Sequence, residues 1–268
     1  DSDKVRSMYE YYDSNGYVTG IKDYKNVDTN ITYNSKGKLL TTTQAVNTPL
    51  ENTETYIYDS TGNFITSITT PVESGNRVTT YTYDGNNRVT NIVAVSPKND
   101  GSNTTETRSL AFNYNALGEL TEVYGPRYVD GVLNDKITLT YNSSGQIATS
   151  TNGLGQTTTF SNFNDFGNPQ TIVDPSGRVM NVNYDLRGRV VNYTLKSSLL
   201  ANDGETTTIT YNNAGLITQV ATPSGASKKF YYDTAQRLNK IEEYNESNAY
   251  LGKVEFTLDN MSNMTALK

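Results

Sequence analysis

The chain has 268 residues, a formal charge of −6, 21 Tyr, 7 Phe, and no His, Cys or Trp. Without His or Cys there is no imidazole general base, no Ser-His triad, no Cys-His dyad, no disulfide and no imidazole or thiolate metal site. The acidic balance, with no basic cluster, argues against a nucleic-acid surface. No apolar run approaches the ~20 residues of a membrane helix, which argues against membrane insertion.

From the N-terminus onward one motif returns, Tyr-(Asp/Asn)-x-x-Gly. It opens at Tyr12-Asp13…Gly16, Tyr33-Asn34…Gly37 and Tyr58-Asp59…Gly62. It continues at Tyr114-Asn115…Gly118, Tyr141-Asn142…Gly145, Tyr184-Asp185…Gly188 and Tyr211-Asn212…Gly215. Weaker copies stand at Tyr83-Asp84…Asn87, Phe163-Asn164…Gly167, Tyr232-Asp233…Gln236 and Leu258-Asp259…Ser262. Eleven units spaced 21–31 residues apart fix a repeat architecture before any single residue is weighed. Thr, Asn, Ser and Gly are abundant while Ala and Leu are sparse, which favours strands and turns over helices.

Each unit predicts one hairpin. In Tyr56-Ile57-Tyr58-Asp59-Ser60-Thr61-Gly62-Asn63-Phe64 the two tyrosines lie two apart and share a strand face. Asp at the first turn position and Gly at the fourth suit a type I turn, with Gly in the left-handed conformation of a bulge. That register sets Asp59 opposite Asn63 and Tyr58 opposite Phe64. The residues two past the glycine slot are all apolar: Val18, Leu39, Phe64, Val89, Leu120, Ile147, Pro169, Val190, Ile217 and Leu238. Pro169 cannot donate to a ladder and implies an edge or bulge there. A second apolar residue often follows three further on (Ile21, Ile92, Val123, Ile172, Val220, Ile241), a spacing that flips a regular strand to its other face. Either both faces are partly covered or a bulge resets the register.

The expected fold is all-β, with repeated antiparallel β-hairpins in a long curved or spiral sheet. Residues 1–268 form a single segment of about eleven hairpins that starts in mid-pattern and looks excised from a larger protein. Twenty-two strands laid flat would span roughly 105 Å, and open twisted sheets rarely exceed about ten strands without curling.

The pattern Tyr-Asp-x-x-Gly-x-(Leu/Val/Ile), at its clearest from Asp174 to Val190, resembles the Rhs/YD repeat family. That family includes bacterial Rhs polymorphic toxins, wall-associated Rhs proteins, the B and C subunits of insecticidal toxin complexes, and teneurins. The resemblance implies a β-spiral that forms all or part of a hollow shell, and in the toxin members the shell encloses a C-terminal toxin. It therefore implies a non-enzymatic scaffold segment of an exported bacterial protein, secreted or at the cell surface. Its partners would be other segments of the same parent protein, a toxin cargo among them. The alternative is a cell-surface recognition module that binds a glycan or partner protein through loops between hairpins.

Three groups of residues are weighed as sites. The repeat residues, Tyr12, Gly16, Tyr33, Gly37, Tyr58, Asp59, Gly62, Tyr83, Tyr114, Gly118, Tyr141, Gly145, Tyr184, Asp185, Gly188, Tyr211, Gly215 and Tyr232, are assigned structural roles, because Asn replaces Asp freely at the turn-closing slot. Tyrosines outside that slot (Tyr124, Tyr128, Tyr193, Tyr244, Tyr250) suit a binding surface better. Tyr124, Arg127, Tyr128 and Asp130 form the candidate binding loop. Among carboxylates, Glu242-Glu243 is the densest pair and reads as solvated, while Asn99-Asp100-Gly101 reads as a surface turn. No catalytic residue, metal ligand or cofactor site is assigned.

Overall fold

The structure, a computed structural model, describes residues 9–102, 104–126, 128–129, 132–133, 135–259 and 261–267. No helix occurs among the described residues. Among the described residues, ten hairpins each pair the strand that ends at a motif aromatic with the strand that starts after the turn.

The chain divides into two compact units, Asp1–Thr138 and Leu139–Lys268. In the first unit the hairpins are Tyr9–Tyr12 with Val18–Lys22, Asp28–Tyr33 with Leu39–Gln44, Asn52–Tyr58 with Ile65–Val72, Gly75–Tyr83 with Val89–Pro97, and Thr105–Tyr114 with Leu120–Tyr124. A short pair, Tyr128–Val129 with Val132–Leu133, follows. In the second unit Thr157–Phe163 pairs with Pro169–Val173, Val179–Tyr184 with Val190–Lys196, Glu205–Tyr211 with Ile217–Ala221, Ser227–Tyr232 with Leu238–Tyr244, and Tyr250–Leu258 with Met264–Leu267. The strands Ile137–Tyr141 and Ile147–Thr151 flank the turn that follows Tyr141. Successive hairpins also join strand to strand, as in Gly20↔Asn30 and Thr171↔Asn181, so each unit is an antiparallel meander.

The motif turn has one construction in most units. In the Tyr184 unit the Gly188 amide donates to the Asp185 carbonyl at 2.9 Å, and the Asp185 amide donates to Arg189 at 2.9 Å. The Asp185 carboxylate then accepts the amides of Arg187 at 2.9 Å and Arg189 at 3.0 Å, the hydrogen bonds by which Asp and Asn close turns. Gly188 takes φ +75°, and Asn87, Gln236 and Ser262 hold φ of 63°, 62° and 67° in the same slot of the weaker copies. The same turn joins hairpins at Asp23–Asn26, Asn152–Gly155, Asp174–Gly177, Thr222–Gly225 and Asn245–Asn248.

Directly after the turn the register shifts. Tyr83 pairs with Val89 but Thr82 pairs with Asn91, so Thr90 is an extra residue. This bulge decides the face of the second apolar position: Tyr81 pairs with Ile92, and Tyr81 shares its face with Tyr83. Phe112 with Val123, Ile209 with Val220 and Phe230 with Ile241 follow the same rule. Of the two alternatives, the bulge operates, and both apolar residues fall on the motif face.

Two units depart from this common register, and of these only the Tyr58 unit departs from the expected pairing. Tyr58 pairs with Ile65 and not with Phe64, and the Asp59 amide donates to Phe64 at 2.9 Å where Asn63 was expected, because this loop is one residue longer. Phe64 instead lies against Tyr83, ring centres 5.5 Å apart. In the Phe163 unit the pairs Phe163↔Pro169 and Ser161↔Thr171 show no shift, and Asn162 holds φ 52° on the motif strand.

Burial is shallow. Val179 and Val182 are the buried apolar residues among those described, with Thr171, Thr207 and Ser227 the buried polar ones. Cross-strand hydroxyl pairs, such as Thr32 with Thr41 at 2.6 Å and Thr194 with Thr206 at 2.7 Å, add side-chain links to the ladder.

Candidate functional site

The features that recur with specific chemistry lie along the turn edge, where each hairpin meets the next. In at least seven units the motif tyrosine donates its hydroxyl to the carbonyl of the residue that pairs with the preceding motif aromatic. Tyr33 reaches Val18 at 2.8 Å, Tyr58 reaches Leu39 at 2.8 Å, Tyr83 reaches Ile65 at 2.7 Å and Tyr114 reaches Val89 at 2.9 Å. Tyr184 reaches Pro169 at 3.0 Å, Tyr211 reaches Val190 at 2.9 Å and Tyr232 reaches Ile217 at 2.8 Å. Six of these accepting carbonyls sit beside a register shift, and Pro169 does not. The phenol thus supplies a donor where the ladder is interrupted. The bulged residue helps in the same way: Thr90 donates to the Thr82 carbonyl at 3.2 Å and Thr218 to Thr210 at 3.2 Å.

An arginine just after the glycine slot links forward. Arg189 donates to the Asp185 carboxylate at 2.7 Å, and its guanidinium lies 4.3 Å from the Tyr211 ring centre. Arg88 does the same with Asp84 and Tyr114, at 2.7 Å and 4.6 Å. Arg237 donates to Asp233 at 2.7 Å and to the Asp259 carbonyl at 2.6 Å. Hydrogen bonds from Arg189 hold the Asp185 carboxyl below the usual carboxylate range. Tyr12, in the first described hairpin, turns its hydroxyl to Glu10. Tyr141 is also engaged, and Gly145 completes its turn with φ 75°.

A second recurring group is Glu-x-Tyr on one strand. The Glu122 carboxylate accepts from Asn113 at 2.7 Å and Tyr124 at 2.8 Å and pairs with Lys136 at 2.5 Å, which holds its pKa down at about 2. The Glu242 carboxylate accepts from Lys240 at 2.8 Å, Tyr231 at 2.6 Å and Tyr244 at 2.8 Å, and its pKa is likewise about 2. Bonding to Glu242 pushes the Tyr244 hydroxyl up to about 12. The Tyr56 hydroxyl, bonded to Glu54 at 2.5 Å, is also pushed up to about 12. Glu242 is therefore not the solvated residue the sequence suggested, whereas Glu243 is about half exposed in its pair with Lys228. The spacing Glu10-x-Tyr12, Glu54-x-Tyr56, Glu122-x-Tyr124 and Glu242-x-Tyr244 was the available signal, because residues two apart share a strand face.

The candidate binding loop is only partly placed. Tyr124 is tied to Glu122, and the Lys136 ammonium lies 5.3 Å from its ring centre. Tyr128 falls in the short strand Tyr128–Val129, while Arg127 and Asp130 lie outside the described residues. Tyr193 pairs with Val182 on the motif face, and Tyr244 and Tyr250 meet with ring centres 5.8 Å apart. Asp100 closes a surface turn by accepting the Ser102 amide at 2.9 Å. Among the described residues, no three Asp or Glu side chains gather where they would hold a metal ion.

The family model described as teneurin YD-shell matches residues 159–265. The crystal structure of TcdB2-TccC3-Cdc42 aligns with 98% of this chain at 14% identity and a TM-score of 0.70. That of TcdB2-TccC3 without its hypervariable C-terminal region aligns with 98% at 14% identity and a TM-score of 0.71. This chain spans 14% of the length of each of those chains. A search of curated protein sequences gives no match. The repeated Tyr-Asp turns and the match over residues 159–265 make this chain similar to the YD-shell family, and its all-β hairpin fold is shared with the TcdB2-TccC3 structures.

Proposed function

We propose that this chain is a non-enzymatic wall segment of a larger shell, one that encapsulates or displays an effector elsewhere in an exported bacterial protein. The observation that carries this is the relay of hydroxyl-to-carbonyl bonds from hairpin to hairpin. It commits the most regularly placed polar groups of the chain to holding the sheet together. A wall that must enclose something needs such uniform seams, and a repeat array gains its stability from interfaces between neighbouring units. The fold shared with far longer TcdB2-TccC3 chains supports the same reading. The partners are then other segments of the parent protein.

Binding of glycan through the 124–135 loop gains no support from Tyr124, whose hydroxyl and ring are both engaged within the chain. Limited proteolysis of the parent protein tests the wall function. The effector segment should resist cleavage in the intact parent protein and be digested rapidly when expressed alone. Equal rates of digestion in the two settings would contradict enclosure.

A further inference from the structure

One carboxylate in the second unit takes two phenols. The Tyr231 and Tyr244 hydroxyls both donate to Oε2 of Glu242, at 2.6 Å and 2.8 Å, while Lys240 holds Oε1 at 2.8 Å. The register explains the meeting. Lys229 pairs with Glu242 and Tyr231 with Lys240, so Tyr231, Glu242 and Tyr244 share the face opposite the motif tyrosines. The two tyrosines flank Glu242 along the hairpin, and both rings lean in to reach it. An ammonium lies against each ring, Lys240 at 3.8 Å from the Tyr231 centre and Lys229 at 4.1 Å from that of Tyr244. These contacts hold the rings hydroxyl to hydroxyl over a carboxylate that is 13% exposed. Among the described residues the other Glu-x-Tyr carboxylates, Glu10, Glu54 and Glu122, each take one phenol.

We propose that Tyr231 and Tyr244 form an oxidative cross-linking site, joined ortho carbon to ortho carbon by a one-electron oxidant, with Glu242 as the proton acceptor. Each phenol gives one electron to an oxidant molecule and its hydroxyl proton to Glu242, which passes it to solvent. The two phenoxyl radicals then pair their electrons in one carbon–carbon bond. Each bonded carbon loses its hydrogen and each oxygen regains one, so both hydroxyls return. Two phenols thus become one biphenol, two protons and two electrons, and two equivalents of oxidant are reduced. In the product the hydroxyls flank the new bond and converge on one acceptor, the arrangement that Glu242 already imposes. The chain directs one-electron oxidants to tyrosine, because it has 21 Tyr and neither Cys nor Trp to be consumed first. Exposed Met261 and Met264 take two-electron oxidants to the sulfoxide instead. The bond ties strand Ser227–Tyr232 to strand Leu238–Tyr244, a covalent staple in a chain that has no cysteine for a disulfide. The site is independent of what the wall encloses.

The test exposes the folded chain to photogenerated ruthenium(III) trisbipyridine, a one-electron oxidant, with peptide mass spectrometry as the readout. After tryptic cleavage, peptides 230–237 and 241–253 should appear joined and short of two hydrogens, with fragmentation placing the bond between Tyr231 and Tyr244. Tyr231→Phe and Tyr244→Phe should each abolish this product. Glu242→Gln keeps a hydrogen-bond acceptor of the same shape but a far weaker base. It should slow the product roughly a hundredfold, the low end for a placed proton acceptor. The native chain carries its own comparison, which needs no variant to fold. Tyr17 and Tyr33 stack with ring centres 5.1 Å apart, but the Tyr33 hydroxyl goes to the Val18 carbonyl and no carboxylate joins the two phenols. That pair should link more slowly than Tyr231 with Tyr244. Absence of the Tyr231–Tyr244 bond, faster linking at Tyr17–Tyr33 or at Tyr250, or a rate unchanged by Glu242→Gln would overturn the proposal.

Discussion

Two adjacent hairpins, Thr157–Phe163 with Pro169–Val173 and Val179–Tyr184 with Val190–Lys196, are copies of one motif with different seams. The second has the full set: a phenol bonded to the preceding hairpin, an Asp-Arg pair that reaches the next tyrosine ring, and Val179 and Val182 at 1% and 4% exposure. The first has Phe for Tyr, Asn164 for Asp and Asn168 for Arg, and an open apolar cleft beside it. The turn survives in both, since the Gly167 amide donates to Asn164 at 2.9 Å as Gly188 does to Asp185 at 2.9 Å. Turn formation and seam closure are therefore separable: backbone and Asx hydrogen bonds make the hairpin, while the phenol and guanidinium join it to its neighbours.

The largest effect expected from this contrast is that of a buried charge. Val182→Asp places an unpaired carboxylate at a 4% exposed position and should cost more than about 4 kcal/mol, read by circular dichroism melts. Phe160→Asp opens onto the cleft and should cost far less. Comparable losses in the two variants would erase the distinction between a closed seam and an open one.

Backbone strain comes next. Gly188 sits at φ +75°, and a Cβ added there would stand 3.5 Å from the Asn168 side-chain amide, an ordinary contact. Gly188→Ala should therefore cost about 1–2 kcal/mol, through conformation more than crowding. Chemical denaturation measures this. Gly188→Asn should recover part of the loss, because Asn tolerates left-handed backbone and already occupies that slot at Asn87.

Acid should separate the two hairpins with a smaller effect. The Asp185 carboxyl is held below its ordinary value of 3.8, first by the Arg189 side chain, so its contribution is present above pH 3.8 and lost as the pH falls below it. Asn164 does not titrate. Melts between about pH 5 and pH 2 should show an acid-sensitive component that Asp185→Asn reduces. Glu122 and Glu242 add a chain-wide loss as the pH falls from 4.5 towards about 2. At the alkaline end Tyr56 and Tyr244 contribute stability below pH 10.0 that is lost as the pH rises to about 12, followed by tyrosinate absorbance.

The hairpins were legible because Asp/Asn-x-x-Gly between apolar strands is a local signal, complete within one turn. Tyr33 opposite Leu39 and Tyr184 opposite Val190 follow directly from that spacing. The longer Tyr58 loop was not legible, since Phe64 and Ile65 are both apolar and either could face the tyrosine. The seams were hidden for a different reason: the partner of the Tyr184 hydroxyl is a carbonyl, and every residue carries one. Only the persistence of Tyr over Phe in that slot hints that the hydroxyl itself is used. The Glu-x-Tyr clusters were visible in principle, but Lys136 reaches Glu122 from outside its strand, which spacing along one strand cannot reveal.

The central claim, that motif phenols close the seams, is tested most directly by amide hydrogen exchange in strand Pro169–Val173 with Tyr184→Phe, and in strand Ile147–Thr151 with Phe163→Tyr. Tyr184→Phe should speed exchange in its strand by about fivefold, near 1 kcal/mol, and Phe163→Tyr should slow exchange in its own by a similar factor. Unchanged exchange in both variants, or changes of the same sign, would contradict the account.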